Sequence, residues 1–295
     1  VSPGPIYDAY GQGHVRLAAK TFFAAGFREG DIVANTFSYH LLPAGGYFED
    51  GLRELGVTVI PGGTGQSELQ VQIMHEVGAT GFLGTPSFLK TLIDRAEEKG
   101  YNFRQDFKLK RAWLFGEPFP PSLRESFEKD YGIDTSQAYG TADVGLMSYE
   151  CNQKSGMHIM EEFIVEIVDP ATGKQLGPGE IGEVVITSLS EIYPLIRFGT
   201  GDLSYYTDEP CLCGRTSRRL VRIVGRVGDL VRVRALFIHP KEVEQAVSKF
   251  PEVSNFQMIV TRPAHRDEIT LEIELHDEAV DREKLSYSLQ GAITG

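Results

Sequence analysis

The feature that most restricts how this chain can fold is the alternation of helix-like and strand-like segments through its first half. Apolar residues at helical spacing run from His14 to Ala25 and stop at Gly26. Asp31 to Phe37 (DIVANTF) reads as a strand, Gly46 to Leu55 as a helix ending at Gly56, and Val57 to Ile60 as a short buried strand. A helix over Ser67 to Val77, a strand over Thr80 to Leu83 and a proline-opened helix over Pro86 to Lys99 follow. Arg111 to Phe115 is the next strand and Pro121 to Tyr131 the next helix. Strands separated by helices of this length pair in parallel, with helices on both faces. Ligands in such sheets gather at the carboxyl ends of the strands.

From Val144 the texture turns to β. Phe163 to Val168, Glu183 to Thr187, Leu203 to Tyr206 and Leu220 to Val224 are short strands divided by turns such as Gly177-Pro178-Gly179. After Gly225 the pattern restarts with a strand over Leu230 to Val233 and a helix over Lys241 to Phe250. Strands over Phe256 to Thr261 and Ile269 to His276 and a helix from Arg282 complete it. The expected fold class is α/β: mostly parallel sheet layers with helices, an antiparallel β subdomain and a small α+β C-terminal domain. The expected boundaries are 1–143 (α/β) and 144–228 (β-rich) within one domain, and 229–295 for the second. A chain of 295 residues has room for both. It opens on Val1 without a methionine and closes on Gly295 just after a helical pattern, as expected of a piece of a longer protein.

Charge narrows the partners. With 41 acidic against 29 basic side chains the net charge is −12, which argues against a general nucleic-acid surface. A local nest of backbone N–H groups can still bind phosphate in an acidic protein. No apolar run approaches the roughly 20 residues that span a bilayer, and no charged-then-apolar leader opens the chain. No membrane partner is therefore expected, and the cytoplasm is the default location. A homodimer is compatible with this composition. The three cysteines, an odd number, make no disulfide framework and are free thiols or metal ligands.

The densest chemistry lies in Ser136 to Cys151 (SQAYGTADVGLMSYEC). Gln137 to Tyr139 reads as a strand running into a tight turn at Gly140, where the backbone can approach a ligand closely. Tyr139 offers a flat face to a heterocycle, and Thr141 with Asp143 suits a magnesium ion bridging phosphates. A solvated loop carboxylate explains Asp143 as well. Gly116-Glu117-Pro118 falls at the end of the preceding strand, which places both segments in one crevice. The cysteines fall with a histidine in two tight groups, Cys151-x6-His158 and Cys211-x-Cys213. Three thiols and an imidazole form a closed set that suits structural zinc, unless they are merely scattered thiols. Gly199-Thr200-Gly201-Asp202 reads as a turn whose carboxylate can take two ribose hydroxyls or simply close a hairpin. Gly225-Arg226-Val227-Gly228-Asp229 suits a hinge or a plain linker.

In order along nearly the whole chain stand GEPF (Gly116 to Phe119), AYGTAD (Ala138 to Asp143) and YEC…GMH (Tyr149 to His158). RFGTGD (Arg197 to Asp202), CLCGR (Cys211 to Arg215) and GRVGD (Gly225 to Asp229) follow. Together they resemble the phenylacetate–CoA ligase family of adenylate-forming enzymes. The resemblance implies activation of a carboxylic acid by ATP to an acyl-adenylate, then attack by the thiol of coenzyme A. It implies that Tyr139 stacks on adenine beside Gly140 and the Gly116-Glu117-Pro118 backbone. Thr141 would hold the α-phosphate, Asp143 the magnesium and Asp202 both ribose hydroxyls, with Arg226 near the ribose. Cys151, His158, Cys211 and Cys213 match a zinc knuckle of the family. A C-terminal lid would turn at Gly228-Asp229, and Arg234 with Ala235 would stand at the pantetheine tunnel. Phe37, Tyr39 and His40, with Gly45 and Gly46, resemble the wall of an aryl-acid pocket, although core packing explains them equally.

The family's phosphate loop would lie before Val1 and its catalytic lysine beyond Gly295. Three positions depart from the family pattern: Asp143 stands where Glu is usual, Gly228 where Asp is usual, and Ala235 where Gly is usual. The last adds a methyl group to the expected tunnel. An adenylyltransferase that stops at adenylation with another acceptor is therefore the alternative.

Overall fold

The computed structural model describes residues 12–190, 193–227, 231–233, 236–238, 243, 246–261, 268–276 and 282–294. The chain falls into two compact units, Tyr7–Gly225 and a second that contains Arg226–Gly295. In the first, helices α1 (Gln12–Ala24), α2 (Ala44–Glu54), α3 (Ser67–Val77) and α4 (Pro86–Glu98) alternate with strands. The strands are β1 (Ile32–Asn35), β2 (Thr58–Pro61), β3 (Gly81–Gly84) and β4 (Arg111–Leu114). A short α5 (Phe103–Asp106) precedes β4, and α6 (Pro121–Glu125) runs on into a π-helical turn over Ser126–Asp130 before β5 (Asp134–Thr141). The order β2-β1-β3-β4-β5 is parallel throughout.

Local chemistry explains the elements. Thr85 caps α4 by accepting from the Phe88 amide at 3.3 Å, and Pro86 fills the first helical position, where no amide is needed. Leu89, Leu92, Ile93 and Ala96 then recur on one buried face. They join Phe82, Ala112, Leu114 and Phe127 in one core, whereas Leu83 and Trp113 join Phe22, Phe48 and Leu52 in another. Successive residues of β3 and β4 thus alternate between the cores, which lie on opposite faces of the sheet. Each large side chain buried this way contributes about 1.5–3 kcal/mol.

β5 is the seam. It runs parallel to β4 but antiparallel to β6 (Gly145–Glu150). The sheet continues through β7 (Met157–Ile159), β11 (Arg219–Arg226), β10 (Leu195–Thr207), β9 (Gly182–Ser188) and β8 (Phe163–Val168) to eleven strands. The β-rich part therefore extends the α/β sheet, and β6 and β7 are strands that the sequence reading did not separate.

Two expected turns are not turns. Gly140 lies inside β5, and the chain reverses at 142–144 instead. A Cβ on Gly140 would meet the Gly145 carbonyl oxygen at 2.2 Å, so glycine serves the close approach of the hairpin strands there. Gly145, at φ 80°, takes the left-handed conformation. Gly199 to Asp202 lies within β10, whose register with β9 shifts between Gly199 and Leu203. Gly201, at φ 72°, absorbs the extra residues as a bulge, and Arg197, at φ 50°, does the same at a second shift between Leu195 and Phe198.

In the second unit β12 (Val231–Val233) pairs antiparallel with β13 (Leu236–Ile238), a partner the sequence reading missed, and β14 (Val253–Thr261) with β15 (Glu268–Leu275). Its core gathers Val243, Val247, Leu285 and Leu289, the last two from the C-terminal helix α7 (Arg282–Thr294). Gly228, Asp229, Arg234, Ala235 and residues 241, 242, 244 and 245 of the helix expected over Lys241–Phe250 lie outside the described residues. Among the described residues no helix is long and apolar enough to cross a membrane.

Candidate functional site

The carboxyl ends of β4 and β5 are neighbours, so Gly116-Glu117-Pro118 and Tyr139 to Asp143 open on the same edge of the sheet. Tyr139 is buried to 8% exposure, and its hydroxyl donates to Asp202 Oδ2 at 2.9 Å. The same hydroxyl lies 3.2 Å from Thr200 Oγ1, which itself donates to the Val184 carbonyl at 2.9 Å and accepts from the Asp202 amide at 3.1 Å. An aromatic face and an acceptor carboxylate 63 residues apart in the chain are thus joined directly. Thr141 accepts from the Val144 amide at 3.3 Å, which closes the hairpin tip, and Thr141 and Asp143 are both half-buried.

Glu117 turns toward the start of α4. Its carboxylate accepts from the Ser87 amide and, at 3.0 Å, from the Ser87 hydroxyl. A carboxylate at a helix N-terminus is favoured by the unpaired amides there. Gly116, at φ 91°, continues from β4; a Cβ on it would lie 4.0 Å from the Phe37 ring.

Phe37 follows the end of β1 and packs on Phe48 (ring centroids 4.7 Å apart) and Phe115 (6.1 Å). Phe37 and Phe115 are half-buried, whereas His40 is exposed and is no core histidine. The Tyr39 hydroxyl donates to Glu49 at 2.8 Å and accepts from Asn35 at 2.9 Å. Burial, with the Glu49 carboxylate, raises its phenol above the ordinary range. Gly45 and Gly46 lie in the first turn of α2. A Cβ on Gly45 would meet the Ser38 carbonyl oxygen at 2.6 Å, so the aromatic turn folds back on this glycine.

Cys151, His158, Cys211 and Cys213 come together as expected, with their ligand atoms all within 4.8 Å. Cys151 follows β6, His158 lies in β7, and Cys211 and Cys213 lie in the turn before β11. The Cys151 and Cys211 sulfurs are 3.7 Å apart, and Cys213 Sγ is 3.4 Å from His158 Nε2. A tetrahedral zinc, with bonds of about 2.3 Å to sulfur and 2.0–2.1 Å to nitrogen, sets edges of about 3.7 and 3.5 Å. The residues fit that ion. Burial lowers the His158 pKa, and Arg215 and Arg219 lower it further, which keeps the ring neutral. Nδ1 lies 3.2 Å from Ser217 Oγ, leaving Nε2 for the cluster. Burial, aided by Cys213 and Cys211, pushes the Cys151 thiol up to about 11. Burial also raises Cys213, but hydrogen bonds from the Arg215 backbone and side chain bring it down to about 7.

Residues 51–190 match the family model of the AMP-binding enzyme, and residues 235–294 match that of the AMP-binding enzyme C-terminal domain. The chain belongs to the AMP-binding enzyme family. The first match holds Gly116 to Pro118, Tyr139 to Asp143, Cys151 and His158; Asp202, Cys211, Cys213 and Arg226 stand between the two matches. The chain is 33% identical over 267 residues to a phenylacetate-coenzyme A ligase of Thermus thermophilus, a match covering 88% of this chain and 60% of that protein. It is 34% identical to the phenylacetate-coenzyme A ligase of Pseudomonas putida, covering 89% and 60%. The chain thus spans about 60% of the length of these curated relatives. A 2-hydroxyisobutyryl-CoA ligase, solved with its acyl-AMP and CoA, superposes with a TM-score of 0.85 at 26% identity, covering 100% of this chain and 67% of that one.

Beside the candidate site stand residues that sequence reasoning did not single out. Thr200 was visible only as part of its Gly-Thr-Gly-Asp run. Ser87, Asn35 and Glu49 carried no signal, because each acts by reaching a partner on another element.

Proposed function

We propose that the protein activates a carboxylic acid with ATP as an acyl-adenylate and transfers the acyl group to the thiol of coenzyme A. The observation that carries this reading is the hydrogen bond from Tyr139 to Asp202, which holds an aromatic ring beside an acceptor carboxylate. Tyr139 stacks on adenine, with the Gly116-Glu117-Pro118 backbone along its edge. Asp202 accepts the ribose hydroxyls, Arg226 stands near them, and Thr141 contacts the α-phosphate. A carboxylate oxygen of the acid attacks the α-phosphorus, and the bond to the β-phosphate oxygen breaks as pyrophosphate leaves. The thiolate then attacks the acyl carbon and AMP departs.

Asp143 would hold magnesium. Among the described residues the one group of three or more metal-capable side chains is the Cys/His cluster, so substrate phosphates and water would supply the other oxygen ligands. Magnesium there supplies neutralising charge to the phosphates. Cys151, His158, Cys211 and Cys213 would hold zinc, which supplies a structural clamp because the ligand set is closed. The acid is aryl: Phe37 and Phe115 offer ring faces at the strand ends, and similarity to phenylacetate-coenzyme A ligases supports it. The cytoplasm, where ATP and coenzyme A are at hand, is the compartment that suits these substrates.

The test is ATP–pyrophosphate exchange by the complete protein with aryl, fatty and amino acids. Exchange stimulated by phenylacetate or a related aryl acid, with thioester formed only on addition of coenzyme A, is the expected result. Exchange with an aryl acid but no thioester would leave an adenylyltransferase, and exchange with none of the acids would overturn the reading.

A further inference from the structure

Asp202 does not stand on a regular strand, and the geometry points to Glu183 as the residue that positions it. We infer that the Glu183 carboxylate holds the β10 bulge in the one shape that presents Asp202 to a ribose; this rests on the nucleotide reading above. Glu183 lies in β9, directly across from Leu203. Its Oε1 accepts from the Gly201 amide at 3.0 Å, inside the bulge. The carboxylate can be there only because Gly199 has no side chain: a Cβ on Gly199 would meet the same Oε1 at 2.6 Å. Gly201 itself sits at φ 72°, a conformation glycine enters and leaves freely, so the hydrogen bond to Glu183 restricts a peptide that its own sterics leave loose.

The anchor acts on one residue in particular. The Gly201 amide and the Asp202 amide are adjacent, and each has its own acceptor: Glu183 for the first, Thr200 Oγ1 at 3.1 Å for the second. Two consecutive amides, one held from β9 and the other by a residue of β10 itself, leave the Asp202 carboxylate little choice of direction, and Tyr139 completes the fixation at 2.9 Å. Without Glu183 the bulge loses one of these amide acceptors and Asp202 must be ordered by the ligand, at a cost in affinity. The amide requires an acceptor and not a charge, so glutamine at 183 preserves the function.

The experiment compares AMP with 2′,3′-dideoxy-AMP by calorimetry on the complete protein. Glu183→Ala is expected to weaken AMP binding about tenfold, the worth of one hydrogen bond, and to leave the dideoxy nucleotide unaffected. Glu183→Gln should restore AMP affinity. Gly199→Ala, whose methyl group displaces the carboxylate, should show the same nucleotide-selective loss and serves if Glu183→Ala does not fold. Equal losses for both nucleotides, or no loss for AMP, would overturn the inference. Asp202→Ala is the companion measurement: if it too fails to separate AMP from the dideoxy nucleotide, the ribose reading itself has failed. If it separates them and Glu183→Ala does not, only the positioning role has failed.

Discussion

Asp202 receives its hydrogen bond from Tyr139 through one carboxylate oxygen. A carboxylate has about four acceptor sites, so two ribose hydroxyls can still be bound. Replacing it by alanine removes two charge-assisted hydrogen bonds, and AMP affinity is expected to fall roughly 100-fold or more. The Cys/His cluster lies elsewhere in the sheet and should still take up zinc. Calorimetry with AMP beside metal analysis of the same sample checks both halves, and unchanged AMP affinity would refute the ribose assignment. Glu183 was not legible at this scale. An acid in an alternating strand such as GEVVITS reads as a solvent-facing position, and nothing local announces that an amide on the next strand will be aimed at it.

Among elements, β5 bears the greatest responsibility, because it ends in the candidate site segment Tyr139 to Asp143 and joins parallel to antiparallel sheet. A buried ion pair fastens it. Glu150 is 2% exposed and accepts from Arg124 Nη2 at 2.9 Å, from the Gln137 amide at 3.1 Å and from the Gln137 side chain at 2.8 Å. Arg124→Ala strands that carboxylate without its cation and should destabilise the protein by roughly 3–5 kcal/mol, read as a drop in the denaturant midpoint. A loss under 1 kcal/mol would mean that the pair is not what holds α6 to the seam. On the other side of the hairpin, the Cys/His cluster ties the end of β6 and β7 to the turn before β11. One zinc per chain should co-purify, and its removal by a chelator should lower the melting temperature by several degrees. Absence of zinc from protein purified without chelator would contradict the ligand assignment. β6 shows what sequence cannot see: Ser148 and Glu150 alternate with Met147 and Tyr149 as a half-solvated strand would, yet Leu146 to Glu150 are all buried.

At the scale of the molecule, family membership rests on two matched regions, while the chain spans about 60% of its curated relatives. Acid activation and thioester formation are therefore activities to be measured on the complete protein. The sequence by itself determined the α/β alternation, with α3 placed to the residue, and the two pairs of metal-ligand candidates, since side-chain period and ligand chemistry are local properties. It also held Tyr139 and Asp202 as separate candidates. Only the tertiary structure decided that they touch, that Gly140 serves a strand contact and not a turn, and that Gly199 to Asp202 is a bulge inside a strand. Contacts across 63 residues depend on strand order and register, which the burial of both sheet faces and the backbone ladder settle together. No window of sequence contains that information.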